Sequence, residues 1–142
     1  MQSHRSRVPR RLDFAQFVVG VTGIALVFAG AALLFTPYWF YQTIGAFPPF
    51  NRHYAGDLGA FQLPLGIAML LAAPRPSQHR LLLGAVAGGS VLHALNHIYD
   101  ALREGASLSH WLADAVPLLL LALLLVAAIG QSPQHRSKAT AG

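Results

Sequence analysis

Apolar residues in this chain fall into four long blocks, separated by short polar breaks. The blocks run over about 14–36, 52–73, 81–102 and 110–130. Apolar positions within each block are near-continuous, not spaced at the interrupted period of an amphipathic helix. A helix of about 20 apolar residues crosses a hydrocarbon core of about 30 Å. The pattern therefore predicts an all-α fold: an up-down bundle of four transmembrane helices over residues 14–130. Residues 1–13 form a basic tail before it and residues 131–142 a polar tail after it.

The breaks carry their own signals. The first block holds only Gln16 and Thr22 as polar side chains. A cleaved signal peptide is the rival reading, but the block is too long for an ordinary signal core. Bulky Tyr38, Trp39, Phe40 and Tyr41 follow it, where cleavage would need small residues. Pro37 closes the first helix, and those aromatics supply an interfacial belt. Gly45, Pro48 and Pro49 mark a turn-rich loop, and Asn51 is a natural N-cap for the second helix. Pro64 inside that helix is expected to kink it, which membrane helices tolerate when a neighbour satisfies the freed carbonyl. In the third block, Gly84, Gly88 and Gly89 read as a small-residue face for close helix packing.

Composition agrees with this reading. Charged residues make up 11% of the 142-residue chain, against roughly 25% in ordinary soluble domains. The absence of cysteine excludes disulfides, iron–sulfur ligation and thiolate metal sites. A formal charge of +5 raises nucleic-acid binding, but the basic residues sit in short tails and turns beside apolar blocks. That placement orients a chain in a bilayer. Arg5, Arg7, Arg10, Arg11, Arg75, Arg80, Arg136 and Lys138 fall on one side, and only Arg52 and Arg103 on the other. The rule that positive loops stay inside therefore predicts both termini in the cytoplasm. The expected partners are the lipid bilayer, other membrane subunits or further copies of the chain, and not nucleic acid.

Histidines and carboxylates cluster on the opposite side. His53, His93, His97 and His110 gather there with Asp57, Asp100, Glu104 and Asp114. Positions four apart lie about 40° apart around a helix, and positions seven apart about 20°. His53 thus shares a face with Asp57, His110 with Asp114, and His93, His97 and Asp100 form one stripe, with Asn96 beside it. Helical bundles build nitrogen/oxygen metal sites from such converging groups, and a carboxylate one turn away fixes an imidazole's tautomer. The alternative is an ordinary polar helix end carrying solvated ion pairs. That reading suits His53 and His110, near the loops, and also Arg52, Arg103 and Glu104. His93 and His97 fit it less well, because an ionisable group within a span normally faces a partner or a cavity.

Other chemistry is missing. No Gly-rich phosphate loop, Gly-x-Ser-x-Gly elbow or His-Glu-x-x-His pair occurs. Imidazole and carboxylate ligands would accept zinc, iron, copper(II), nickel or manganese. Haem is the less favoured cofactor, since it needs two histidines from different helices at equal depth.

The run from Asn51 through His53 and Asp57 to Gly59, followed by His93, His97 and Asp100, resembles the DoxX-like group of small bacterial membrane proteins. The likeness covers about half the chain, from the second block through the third. It implies a four-helix bundle in a bacterial inner membrane. Some members of that group are associated with quinone-linked sulfur oxidation, and the lack of cysteine argues against a thiol-based reaction here.

Three functions follow. One is a metal or cofactor site at the extracytoplasmic end, with redox-linked chemistry as one option. Its core would be His93, His97 and Asp100, with His53, Asp57, His110 and Asp114 as further ligands or supports. The second is an accessory or assembly subunit of a membrane complex. The third is a proton-coupled carrier or small-molecule binder. Under the first and third, His97 should meet Asp57 or Asp114 from another helix.

Overall fold

The computed structural model describes residues 12–45, 48–105 and 107–131; the side chains of His110 and Trp111 fall outside that description, as do most of the basic tail and the whole C-terminal tail. Helices α1 (Phe14–Phe35), α2 (Pro37–Thr43), α3 (Arg52–Ala72), α4 (Arg80–Glu104) and α5 (Leu108–Gln131) follow in order, and no strand occurs among the described residues. Four of them, all but α2, are long and apolar enough to cross a membrane. The blocks read from the sequence match these helices to within about two residues at each end, the usual uncertainty of helix boundaries.

Local chemistry sets the ends. Asp13 caps α1: its carboxylate accepts from the Gln16 backbone N–H at 2.8 Å, and the Gln16 side chain reaches back to the Asp13 N–H. The same Gln16 side chain donates to the Pro74 carbonyl at 2.9 Å, tying the start of α1 to the end of α3. Asn51 caps α3, as expected, by accepting from the His53 and Tyr54 N–H groups. Gly105 ends α4 at φ +64°, a left-handed cap that costs glycine nothing. The helix α3 runs through Pro64, and α5 runs through Pro117.

The stretch after Pro37 is expected from the sequence as an aromatic belt, with no helix assigned to it. It winds into α2, a two-turn helix with the proline in its first turn, where the missing N–H has no intrahelical partner to lose. Its exposed Tyr38 and Trp39 fit the expected aromatic belt. Tyr38 and Tyr41 pack on Phe50, with ring centroids 5.4 and 5.2 Å away.

The long helices alternate in direction and pack chiefly as two antiparallel pairs, α1 with α3 and α4 with α5, joined along α1 and α5. One core cluster draws on all four: Val18 and Val19 of α1, Met69 of α3, Leu83 of α4, Leu125 and Ala128 of α5. These residues lie toward the end that carries the 74–80 turn, the turn end. Toward the α2 end, buried residues such as Leu33 in one pair and Ala94 and Ala115 in the other lie outside that shared cluster.

The α1–α3 seam is made of glycine. A Cβ at Gly30 would meet the Leu63 backbone nitrogen and, at 2.7 Å, its Cα. One at Gly59 would stand 2.8 Å from the Gly30 carbonyl oxygen, and one at Gly66 2.5 Å from the Val27 nitrogen. The backbones approach too closely for any side chain, as small residues permit in membrane helices. Gly84, Gly88 and Gly89 do not play the packing role expected of them. A Cβ at any of the three would meet nothing within 4 Å, because α4 turns a different face, with Leu83, Ala87 and Ala94, toward its buried side.

Candidate functional site

Among the described residues, the titratable side chains that meet both along a helix and between helices lie on α4 and α5. His93 lies 13 residues into α4 from Arg80, about 20 Å along the helix axis. One turn on, His97 presents Nε2 to His93 Nε2 at 3.1 Å, with the rings tilted 30° and their centroids 4.8 Å apart. Between two imidazole nitrogens at that distance one must carry the proton and the other accept it. His97 Nδ1 then faces Asp114 Oδ2 of α5 at 3.7 Å, with the two side chains 15% and 28% exposed. That separation is an ion-pair contact, longer than a hydrogen bond. His97 was expected within hydrogen-bonding distance of a carboxylate from another helix; the structure brings Asp114 of α5 beside it, at the longer ion-pair distance.

The other members of the sequence-derived set are placed differently. Asp100 accepts from Asn96 Nδ2 at 3.1 Å, so its carboxylate is engaged along α4. His53 and Asp57 pair with each other at 3.4 Å, with side chains 80% and 57% exposed. Such an exposed pair contributes about 0–1 kcal/mol and fits the solvated reading. Arg103 bonds to the Tyr99 hydroxyl and sits over its ring. The His110 side chain lies outside the described residues. Among those described, no three His, Asp or Glu side chains are gathered to hold a metal ion.

A cleft of about 590 Å³ opens between the two helix pairs at the depth of His93. Volumes of about 300–1,000 Å³ are typical of small-molecule sites. Its walls are apolar apart from Thr22, Gln62, Ser90 and His93. Thr22 and Ser90 donate to the Val18 and Val86 carbonyls of their own helices, at 2.8 and 2.9 Å. Gln62 is different: its Oε1 is buried without a hydrogen-bond partner.

Sequence reasoning passed over Gln62. The signal was present, a lone amide well inside the second apolar block. Also missed was the glycine seam, foreshadowed by two matched seven-residue spacings, Gly23 to Gly30 and Gly59 to Gly66. Seven residues return a helix to nearly the same face.

Compared with protein-family models, curated proteins and solved structures, the chain matches none.

Proposed function

We propose that this is a multi-pass membrane protein that binds a small molecule between its two helix pairs and exchanges a proton with it through His93, His97 and Asp114. One observation carries the reading: the His93 side chain lines the cleft and also touches His97, which faces Asp114 on the neighbouring helix.

The chemistry runs along ring nitrogens. With a proton on His97 Nδ1, toward Asp114, His97 Nε2 is bare and accepts from His93 Nε2–H. A proton arriving at His93 Nδ1 lets His93 pass its Nε2 proton to His97. His93 is left neutral as the other tautomer, and His97 becomes an imidazolium beside the Asp114 carboxylate. Release of the His97 Nδ1 proton to Asp114 completes one transfer, and rotation or tautomer exchange of the rings resets it. Placing the carboxylate across a helix interface keeps the intermediate imidazolium from standing as an unpaired charge within the span.

By the distribution of Lys and Arg, Asp114 stands toward the extracytoplasmic side and the chain has its termini in the cytoplasm. Reporter fusions after Ser77 should then report cytoplasm and fusions after Ser107 the outside. The resemblance to DoxX-like proteins, and with it a bacterial inner membrane, belongs to the same proposal and rests on the His53–Asp57 and His93–Asp100 runs.

Purified protein in liposomes with an internal pH dye tests the proton line. The wild type should dissipate an imposed pH gradient faster than empty liposomes, and His97→Ala and Asp114→Asn should lose that activity. Equal rates for the wild type and both variants would remove the reading and favour an accessory-subunit role. Elemental analysis of the same preparation measures any bound metal, and a stoichiometric metal lost with His97→Ala would favour a metal site instead.

A further inference from the structure

The cleft's unbonded polar atoms restrict what it can hold. Among the described residues, no Asp, Glu, Lys or Arg lines it, so the ligand's head carries no charge that would need an opposite one within the bilayer. Thr22 and Ser90 have already spent their hydroxyl protons on backbone carbonyls, which leaves their oxygens as acceptors only. Gln62 Oε1 is buried with no donor; turning the amide about its last torsion brings that oxygen to the cleft, where a donor on a ligand satisfies it. His93 shares a proton with His97 through Nε2. The oxygens of Thr22, Ser90 and Gln62 are therefore the groups open to a donor, and the rest of the wall is apolar surface from α1, α3, α4 and α5.

A neutral donor on a lipophilic body is the complement. Amines would enter charged at neutral pH and find no carboxylate on the wall. Carboxylates would find no Lys or Arg. Esters, ethers and ketones could accept from the Gln62 amide N–H but would leave its Oε1 without a donor. A hydroxyl remains. We infer that the cleft is a site for a membrane-soluble hydroxyl compound, an alcohol or phenol, held through Gln62 with its apolar body between the two helix pairs. The inference rests on the small-molecule half of the function proposed above and not on its proton line.

The second groove on the protein shows why the first is selective. It measures about 560 Å³ along the turn end of α1 and α3, and its one polar side chain, Gln16, is bonded to Pro74. That groove offers aliphatic contact without an unbonded side-chain acceptor.

The test uses the full-length chain in lipid nanodiscs. The probe is a long-chain primary alcohol carrying a photoreactive diazirine, compared with its methyl ether and with the matching carboxylic acid. The alcohol should label saturably, on peptides from α1, α3 and α4. The ether should bind about tenfold more weakly, the effect of one hydrogen bond near the upper end of the usual range. Gln62→Leu should bring the alcohol down to the ether's affinity while leaving the ether unchanged. Ala85→Phe, a filling change at an exposed lining position, should remove labelling by both. Equal affinity of alcohol and ether, stronger labelling by the acid, or no saturable labelling at all would each overturn the inference. His97→Ala and Asp114→Asn should keep the alcohol bound, so loss of proton transfer in those variants bears on the proton line alone. A phenol probe run beside the alcohol separates the two sources of the hydroxyl, and the tighter of the two names the natural class.

Discussion

The two helix pairs are joined by opposite chemistry. Between α1 and α3 the contact is backbone on backbone, with Gly30, Gly59 and Gly66 placed where no Cβ fits. On α4 and α5 most buried positions are alanines, Ala94, Ala101 and Ala115 among them, beside Leu83 and Leu125, and the two helices also share the His97–Asp114 contact. In a bilayer, lipid tails are as apolar as a leucine face, so helices associate through close packing and polar contacts. One pair relies on the first and the other adds the second. The glycine seam is a fixed scaffold. The polar seam keeps groups whose protons can move, and a cleft with unbonded acceptors lies between the pairs.

Breaking the scaffold should have the largest effect. Gly30→Ala forces a Cβ against the Leu63 backbone, where no flexible side chain can yield. It should destabilise the α1–α3 pair by about 3 kcal/mol, read as thermal unfolding in detergent. A loss below about 1 kcal/mol would show that the seam relaxes and that the two pairs differ little in how tightly they are held.

Next comes the polar seam. A double-mutant cycle on His97→Ala and Asp114→Ala should give a coupling of about 0.6–1.7 kcal/mol, the range of polar contacts between membrane helices. Zero coupling would remove the contact from the energetics of α4 and α5 and leave their association to apolar packing alone.

The cleft should respond in the other direction. Gln62→Leu removes a buried acceptor that has no partner, so it should stabilise the unliganded protein by about 1 kcal/mol. A destabilised variant would show that the amide holds α3 in place, and that its unbonded oxygen is not a cost carried for binding.

Smallest of all should be Gly88→Leu. The added side chain meets no other part of the chain, and surface-like positions usually change stability by about 0.5 kcal/mol or less. A large loss, on the scale of Gly30→Ala, would place α4 against another molecule and move the glycine contrast from within the chain to between chains.

The spans were legible because burial in lipid demands an unbroken apolar run, and the sequence writes that requirement residue by residue. The cap at Asn51 is local chemistry of the same kind and was legible too, whereas the Gly105 cap went unread and Pro37 was read only as the end of α1, not as the start of α2. Glycine use was legible only as composition. Gly84, Gly88 and Gly89 look as suited to close packing as Gly30 and Gly59, and nothing in one dimension tells which glycine faces another helix.

What the sequence determined by itself, then, is the number of spans, their limits and the gathering of histidines and carboxylates toward one end. Each of these follows from hydropathy and helical spacing, which act along the chain. Only the tertiary structure decided that α1 pairs with α3, that His97 meets Asp114 while Asp100 turns to Asn96, and that Gln62 and His93 line the same cleft. Those outcomes depend on which faces of separate helices approach within a few ångströms, and that is set by the shapes of all four packing together.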